Sequence, residues 1–301
     1  MQYRRLLALT LALALAGPAS GDEARHAGTF IWREGGADFG GFSGIEVTDG
    51  GTRFHALTDR AHIFWGEILR DDEGRIREMR SEGSANLRGP RGAPLAPGHR
   101  GDSEGLAIAG DGSIWVSFEG DHRVARYPAP DEPPTETHRP PDPPGASRNA
   151  GYEALALDDR GRPVIVPEGS ASPDAPFPVL VLEGGSWRSL GAIPRRGRFL
   201  PVGSDFGPDG RFYLLERDFL GPLGFASRVR SMILHEDGAR DEIVLMQSSP
   251  LQYDNLEGIS VWDDGAQIRM TLISDDNFLF LQRTEVVEYV LAPGGRHARR
   301  D

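Results

Sequence analysis

The 301 residues include no cysteine and no lysine, and 33 basic residues, all arginine, stand against 45 acidic ones for a net charge of −12. Without thiols there are no disulfides, no thiolate chemistry and no cysteine metal sites. An acidic balance also excludes the broad positive field that general nucleic-acid binding requires, and favours metal cations or small anions gripped locally by arginine.

Residues 1–21 read as a secretory signal: Arg4 and Arg5, then an apolar stretch too short to span a bilayer, then Ala19-Ser20-Gly21. Export to the periplasm or the extracellular space is expected, with 22–301 forming one domain of net charge −14 once Arg4 and Arg5 are removed. No later segment is apolar enough for a membrane span, and a monomer is expected.

A single pattern then recurs five times: apolar strand, Asp/Gly turn, apolar strand, acid. The copies are FSGIEVTDGGTRFHALTD (42–59), SEGLAIAGDGSIWVSFE (103–119), YEALALDDRGRPVIVPE (152–168), PVGSDFGPDGRFYLLE (201–216) and LEGISVWDDGAQIRMTLISD (256–275). Aligned on Gly51, Gly112, Gly161, Gly210 and Gly265, they are 61, 49, 49 and 55 residues apart. Each step holds about four short strands, the size of a propeller blade. Further strand-like runs follow at 63–69 and 75–80, 179–182 and 187–193, 229–234 and 242–246, and singly at 284–291. The strand missing from the last unit is found in 29–34 (TFIWRE), which pairs beside the last blade and closes the ring. The sequence thus predicts an all-β, five-bladed β-propeller; a sixth blade hidden in the 61-residue first step is the alternative. Proline-rich stretches at 88–99, 128–144 and 170–178 are read as excursions between outer strands, and 293–301 as a fraying tail.

In a hairpin, the start of the first strand and the end of the second lie side by side, away from the turn. The start position carries Glu104, Glu153 and Glu257, with Ser43 and Val202 in the other copies. The end position carries an acid in every copy: Asp59, Glu119, Glu168, Glu216 and Asp275. Stacked around the axis, the two sets form a carboxylate ring at one mouth of the channel, with Arg60, His122, Arg217, Asp276 and Asn277 in the same layer. Carboxylates this crowded cannot all ionise without a neutralising cation or arginine. The ring therefore implies either a hard, oxygen-liganded cation such as calcium or internal ion pairs that pin the blades. An acid in every copy favours the cation. The turns Asp111-Gly112, Asp209-Gly210 and Asp264-Gly265 are structural, supplying positive φ. The eight histidines show no H-E-x-x-H or zinc spacing, and neither G-x-S-x-G nor a phosphate-cradling loop occurs.

At FSGIEV with ALTDR (42–60), DSEGLAI with WVSFEG (102–120), NAGYEALAL (149–157), DGRFYLLERDF (209–219) and DNLEGISVW with LISDDNFLFLQRT (254–284), the chain resembles the phytase-like family of exported bacterial proteins with esterase-like activity. The resemblance implies a β-propeller and phosphate-ester hydrolysis, with calcium held by acidic residues at the channel mouth. With no lysine, a phosphate clamp falls to Arg60, Arg217 or Arg283. The expectation is an exported calcium-dependent hydrolase of a phosphate or related ester. Glu104, Glu153 and Glu257 are its candidate catalytic residues, and Asp59, Glu119, Glu168, Glu216, Asp275 and Asn277 its candidate metal ligands. Two rivals are a lactonase-like propeller with one metal on Glu104, Asn255 or Asn277, and Asp275, and a non-catalytic propeller that binds a small ligand or a protein.

Overall fold

The computed structural model describes residues 24–143, 151–278 and 282–291. The signal-like segment 1–21, the end of the second proline-rich stretch at Pro144 and the tail 293–301 lie outside the described residues. Among the described residues no helix is long and apolar enough to cross a membrane.

The strands pair antiparallel into five separate four-stranded sheets. The first strand, β1 (Ala24–Trp32), is set aside for closure. Blade 1 is β2 (Phe42–Thr48), β3 (Arg53–Thr58), β4 (His62–Arg70) and β5 (Ile76–Asn86); blade 2 is β6 (Ser103–Ile108), β7 (Ile114–Phe118), β8 (Arg123–Tyr127) and β9 (Glu136–His138). Blade 3 is β10 (Ala154–Leu157), β11 (Pro163–Val166), β12 (Phe177–Glu183) and β13 (Ser186–Ile193); blade 4 is β14 (Leu200–Phe206), β15 (Phe212–Phe219), β16 (Phe225–His235) and β17 (Gly238–Gln247). Blade 5 is β18 (Asn255–Asp263), β19 (Ile268–Asp275), β20 (Thr284–Leu291) and β1. The innermost strands β2, β6, β10, β14 and β18 touch in a closed ring around the axis.

Five blades replace the six-bladed alternative, because the long first step holds an 11-residue β5 and the proline-rich connection to β6. Closure follows the expected scheme over a longer strand: β1 pairs with β20 from Ala24↔Leu291 to Trp32↔Thr284. Trp32 is buried and stacks on Phe42 with ring centroids 5.0 Å apart, so β1 bonds to blade 5 and packs on blade 1. Arg70 of β4 and Glu288 of β20 form a two-pronged pair at 2.7 and 2.8 Å across the same seam.

Apolar residues collect between blades. Leu57 and Ile63 meet Leu106 and Val116 between blades 1 and 2, and Trp115 meets Leu155 and Ile165 between blades 2 and 3. Val166 and Phe177 meet Phe212 and Leu214 between blades 3 and 4, and Leu215 and Val229 meet Ile259 and Leu272 between blades 4 and 5. All five aligned turn glycines have positive φ, between 71° and 91°, which explains the period on which the repeats align. The proline-rich 170–178 is only partly an excursion, since Pro178 sits inside β12 at a register shift. The 88–99 stretch connects blade 1 to blade 2, and 128–135 separates β8 from the three-residue β9.

Candidate functional site

Four of the five innermost strands enter the channel with a local irregularity. In four blades one extra residue is inserted opposite the second strand, around Ser43, Glu104, Val202 and Glu257. These are the aligned start positions of the repeats. A bulge bends the strand and re-aims the side chain it carries. A glycine follows each bulged residue because the next blade's backbone lies against it: a methyl at Gly203 would come 2.4 Å from the Glu257 carbonyl oxygen, and one at Gly105 2.6 Å from Leu155 Cβ. The freed amide of Gly105 donates to buried Ser117 Oγ at 2.9 Å. At the other side of the hairpin base in blades 1, 2 and 3, the amides of Asp59, Glu119 and Glu168 donate to the carbonyls of Gly41, Asp102 and Gly151 at 2.8, 2.9 and 3.1 Å. These bonds hold the strand-end acids beside the strand-start ones.

Blade 2 carries the tightest group. One carboxylate oxygen from each of Asp102, Glu104 and Glu119 lies within 4.8 Å of the others. The Glu104 carboxyl is held well above its ordinary pKa, first by removal from water and then by Glu257, Glu119, Asp102 and Asp59. Burial, joined by Asp102, pushes Glu119 up to about 7 even though its Oε1 accepts the Gly151 amide at 3.1 Å. Burial raises Asp59 to about 6, with Arg60 opposing and Glu257, Asp102 and Asp276 adding to it. Asp275 rises to about 8, from burial and then Glu257. The buried Oδ1 of Asp59 has no hydrogen-bond partner among the described residues, the nearest cation being Arg60 Nε at 3.8 Å.

Glu153, on the neighbouring blade 3, and Glu257, on blade 5, bring further carboxyls to the mouth. Glu153 is 9% exposed and its carboxylate makes no hydrogen bond among the described residues. Its pKa is raised well above the ordinary value by burial and then by Glu168. Arg217, on the second strand of blade 4, donates to Glu257 Oε1, to Asn255 Oδ1 at 2.9 Å and to Glu168 Oε1 at 3.2 Å. Burial opposes the charge on Arg217, but Glu257, Glu153 and Glu168 more than offset it and hold its pKa above the ordinary value. Asn255 also donates to Glu257 Oε1 at 2.7 Å, so its amide is already engaged on both sides.

The expected ring is thus incomplete at blade 4. Glu216 is fully buried and accepts Arg228 Nε at 2.9 Å and Arg230 Nε and Nη2 at 2.8 and 2.6 Å. Its oxygens are taken by a structural ion pair, which removes it from the ligand set. Arg283 is also displaced from its expected place: it is half exposed and pairs with Glu285 at 2.9 Å and Asp254 at 3.6 Å, outside the acidic group. Asn277 is exposed on a turn of positive φ, and its amide N–H, rather than its side chain, serves the site by donating to Asp275 Oδ1 at 2.6 Å. Arg60 is at the mouth, its guanidinium 3.3 Å above the Phe278 ring.

Asp102 was not among the expected ligands. Its only signal is its place one residue before β6 in Asp-Ser-Glu-Gly, outside the aligned repeat positions. Asp276 is a second partner, accepting the Gly41 and Phe278 amides and the Thr284 hydroxyl at 2.9, 3.0 and 3.1 Å.

A site built from unneutralised carboxylates suits a hard cation with oxygen ligands. Asp102, Glu104 and Glu119 would hold it, and the unpartnered Asp59 Oδ1 is a further oxygen at the same mouth.

Among solved structures, the chain is similar to hydrazine synthase of Kuenenia stuttgartiensis (14% identity, 83% of this chain and 82% of that one, TM-score 0.45). It is similar also to a catalytically inactive virginiamycin B lyase from Staphylococcus aureus with quinupristin (11%, 88% and 100%, 0.42) and to the gluconolactonase XC5397 of Xanthomonas campestris (14%, 82% and 72%, 0.42). At these scores none bears on the chemistry of the site. No curated protein matches the chain significantly. The family described as "Phytase-like: Esterase-like activity of phytase" matches residues 37–278, most of the chain and all five hairpins, and this protein belongs to that phytase-like family.

Proposed function

We propose that this protein is an exported, calcium-dependent hydrolase of a phosphate or related ester, acting at the acidic mouth of the propeller. The observation that carries the reading is the Asp102, Glu104 and Glu119 triad, whose oxygens converge within 4.8 Å with no arginine among the described residues bonded to any of them. The esterase-like description of the family supports the reaction class, and the signal-like segment 1–21 supports export.

A hard divalent cation at such a site supplies a Lewis acid for a bound oxygen and lowers the pKa of a bound water. The chain supplies the rest. Glu153, buried and unbonded, is suited to accept a proton from an attacking water, since its raised pKa brings it closer to neutral pH. Glu257 is oriented by Arg217 and Asn255 and serves as the second carboxylate of the site. Arg60, stacked on Phe278 and half exposed, is the available grip for an anionic group. Arg217 is occupied by Glu257 and Glu168, which makes it a positioning residue.

The test is hydrolysis of a chromogenic phosphate ester by the mature protein in calcium and in excess chelator. Activity in calcium that chelator abolishes supports the proposal. Turnover indifferent to chelator, or none in either condition, sinks it and leaves a metal-free enzyme or a binding propeller.

A further inference from the structure

A second cavity lies on the outer side of blades 1 and 2, and its chemistry is opposite to that of the mouth. It measures about 560 Å³, within the range of small-ligand sites. One wall is the face of β8 that presents Arg123, Ala125 and Tyr127 at alternate positions. The facing wall is the loop 89–96 of the blade 1 to blade 2 connection. Arg88 fixes that loop by donating to Gly92 O at 2.7 Å and to Asp131 O, on the β8–β9 connection, at 2.6 Å.

Four arginines line the cavity, Arg91, Arg100, Arg123 and Arg139, against one acid, Asp121. Arg139 occupies both oxygens of Asp121 at 2.6 and 3.2 Å, while Arg123 lies 3.6 Å from that carboxylate and donates to the carbonyl oxygens of Asp121 and Arg100 at 3.2 and 2.6 Å. The side chains of Arg91 and Arg100 have no hydrogen-bonded partner among the described residues. A local positive surplus is thus enclosed in a strongly acidic chain. Tyr127 is 1% exposed and lines this cavity, and no hydrogen bond from its hydroxyl is made among the described residues. Without a protein partner, that hydroxyl is free to donate to an oxygen bound in the cavity. The rest of the wall is apolar: Pro90, Pro94, Leu95 and Pro134.

We propose that this cavity binds a small organic oxyanion, a carboxylate or phosphate on an apolar body, with its head on Arg91, Arg100 and the Tyr127 hydroxyl and its body against the prolines. The inference does not depend on the metal at the mouth. The two sites are nonetheless adjacent along the chain: Arg100 is two residues before Asp102 and Asp121 two residues after Glu119, at most about 7.6 Å of backbone in each case.

The test is calorimetric titration of the mature protein, in chelator, with phenyl phosphate, benzoate, inorganic phosphate and benzylamine. Saturable binding of phenyl phosphate or benzoate is expected, the tighter of the two naming the head group, with weaker inorganic phosphate and no benzylamine binding. The double variant Arg91→Gln with Arg100→Gln removes two exposed charges and should weaken binding about tenfold or more. Tyr127→Phe should weaken it while the protein stays folded. Binding should persist in Glu104→Gln. The proposal is overturned if neither organic anion binds, if the double variant binds undiminished, if inorganic phosphate or benzylamine binds as tightly as the organic anions, or if Glu104→Gln abolishes binding.

Discussion

The amide of Glu119 donates to the carbonyl oxygen of Asp102 at 2.9 Å, and this backbone bond brings two carboxylates from opposite ends of a hairpin to one point. With Glu104 on the adjoining bulge, three acids converge, and no arginine among the described residues bonds to them. Blade 4 shows the alternative: there the equivalent acid, Glu216, is saturated by Arg228 and Arg230.

That contrast gives a prediction in two directions. Glu216→Gln leaves two buried guanidinium groups short of a counter-charge and should destabilise the fold by about 3–5 kcal/mol. Glu104→Gln and Glu153→Gln relieve repulsion among acids, so their melting temperatures in chelator should equal or exceed the parental value while hydrolysis is lost. Denaturant unfolding and activity on the same variants check this. An active Glu153→Gln would remove that residue from the reaction, and an undisturbed Glu216→Gln would show that its ion pairs contribute little.

Stability without metal should fall as pH rises. Burial raises Asp59, Glu119 and Asp275 to about 6, 7 and 8, so the native state holds protons that the unfolded chain has already released. Because the unfolded state then binds fewer protons, stability declines from the ordinary carboxylate pKa of about 4 up to about 8. In chelator the protein should melt higher near pH 5 than near pH 8, and calcium should shrink or reverse the difference. A higher melting temperature near pH 8 in chelator would show that the carboxylates are neutralised by other means.

Closure depends on one aromatic residue. Trp32 sits on the last-paired strand and packs into the blade 1 core against Phe42 and Phe54. Trp32→Ala should cost about 3–5 kcal/mol, the price of an emptied aromatic site. Deletion of β1 should expose the β20 edge and cause aggregation. A truncated protein that stays monomeric and melts at the parental temperature would disprove the role of β1 in closing the ring.

The hairpin period was legible because its causes are local: an Asp-Gly turn forces positive φ, and the flanking apolar residues make strands. What failed to show in sequence depends on pairing. The strand β16 begins at Phe225, earlier than its apolar run suggests, which puts Arg228 opposite Glu216 and Arg230 two residues on along the same face. No spacing around Glu216 itself announces those partners. Likewise β9 is three residues long behind a proline-rich segment, too short for alternation to register. Asp102 lies just outside the repeat, and only the bond from Glu119 recruits it. The start positions of the repeats, by contrast, were found as a set because the turn glycines fix the register of every hairpin, and with it the residue at each strand start.

The central claim is that the acids at the mouth bind a cation, and calcium-dependent melting tests it most directly. A cation that binds only the folded protein raises its stability by mass action, about 2.7 kcal/mol at a hundredfold excess over Kd. Stripped mature protein returned to millimolar calcium should melt higher than in chelator, and Glu104→Gln should lose most of that increase while remaining folded. Identical melting curves for the parent protein in calcium and in chelator would contradict the account.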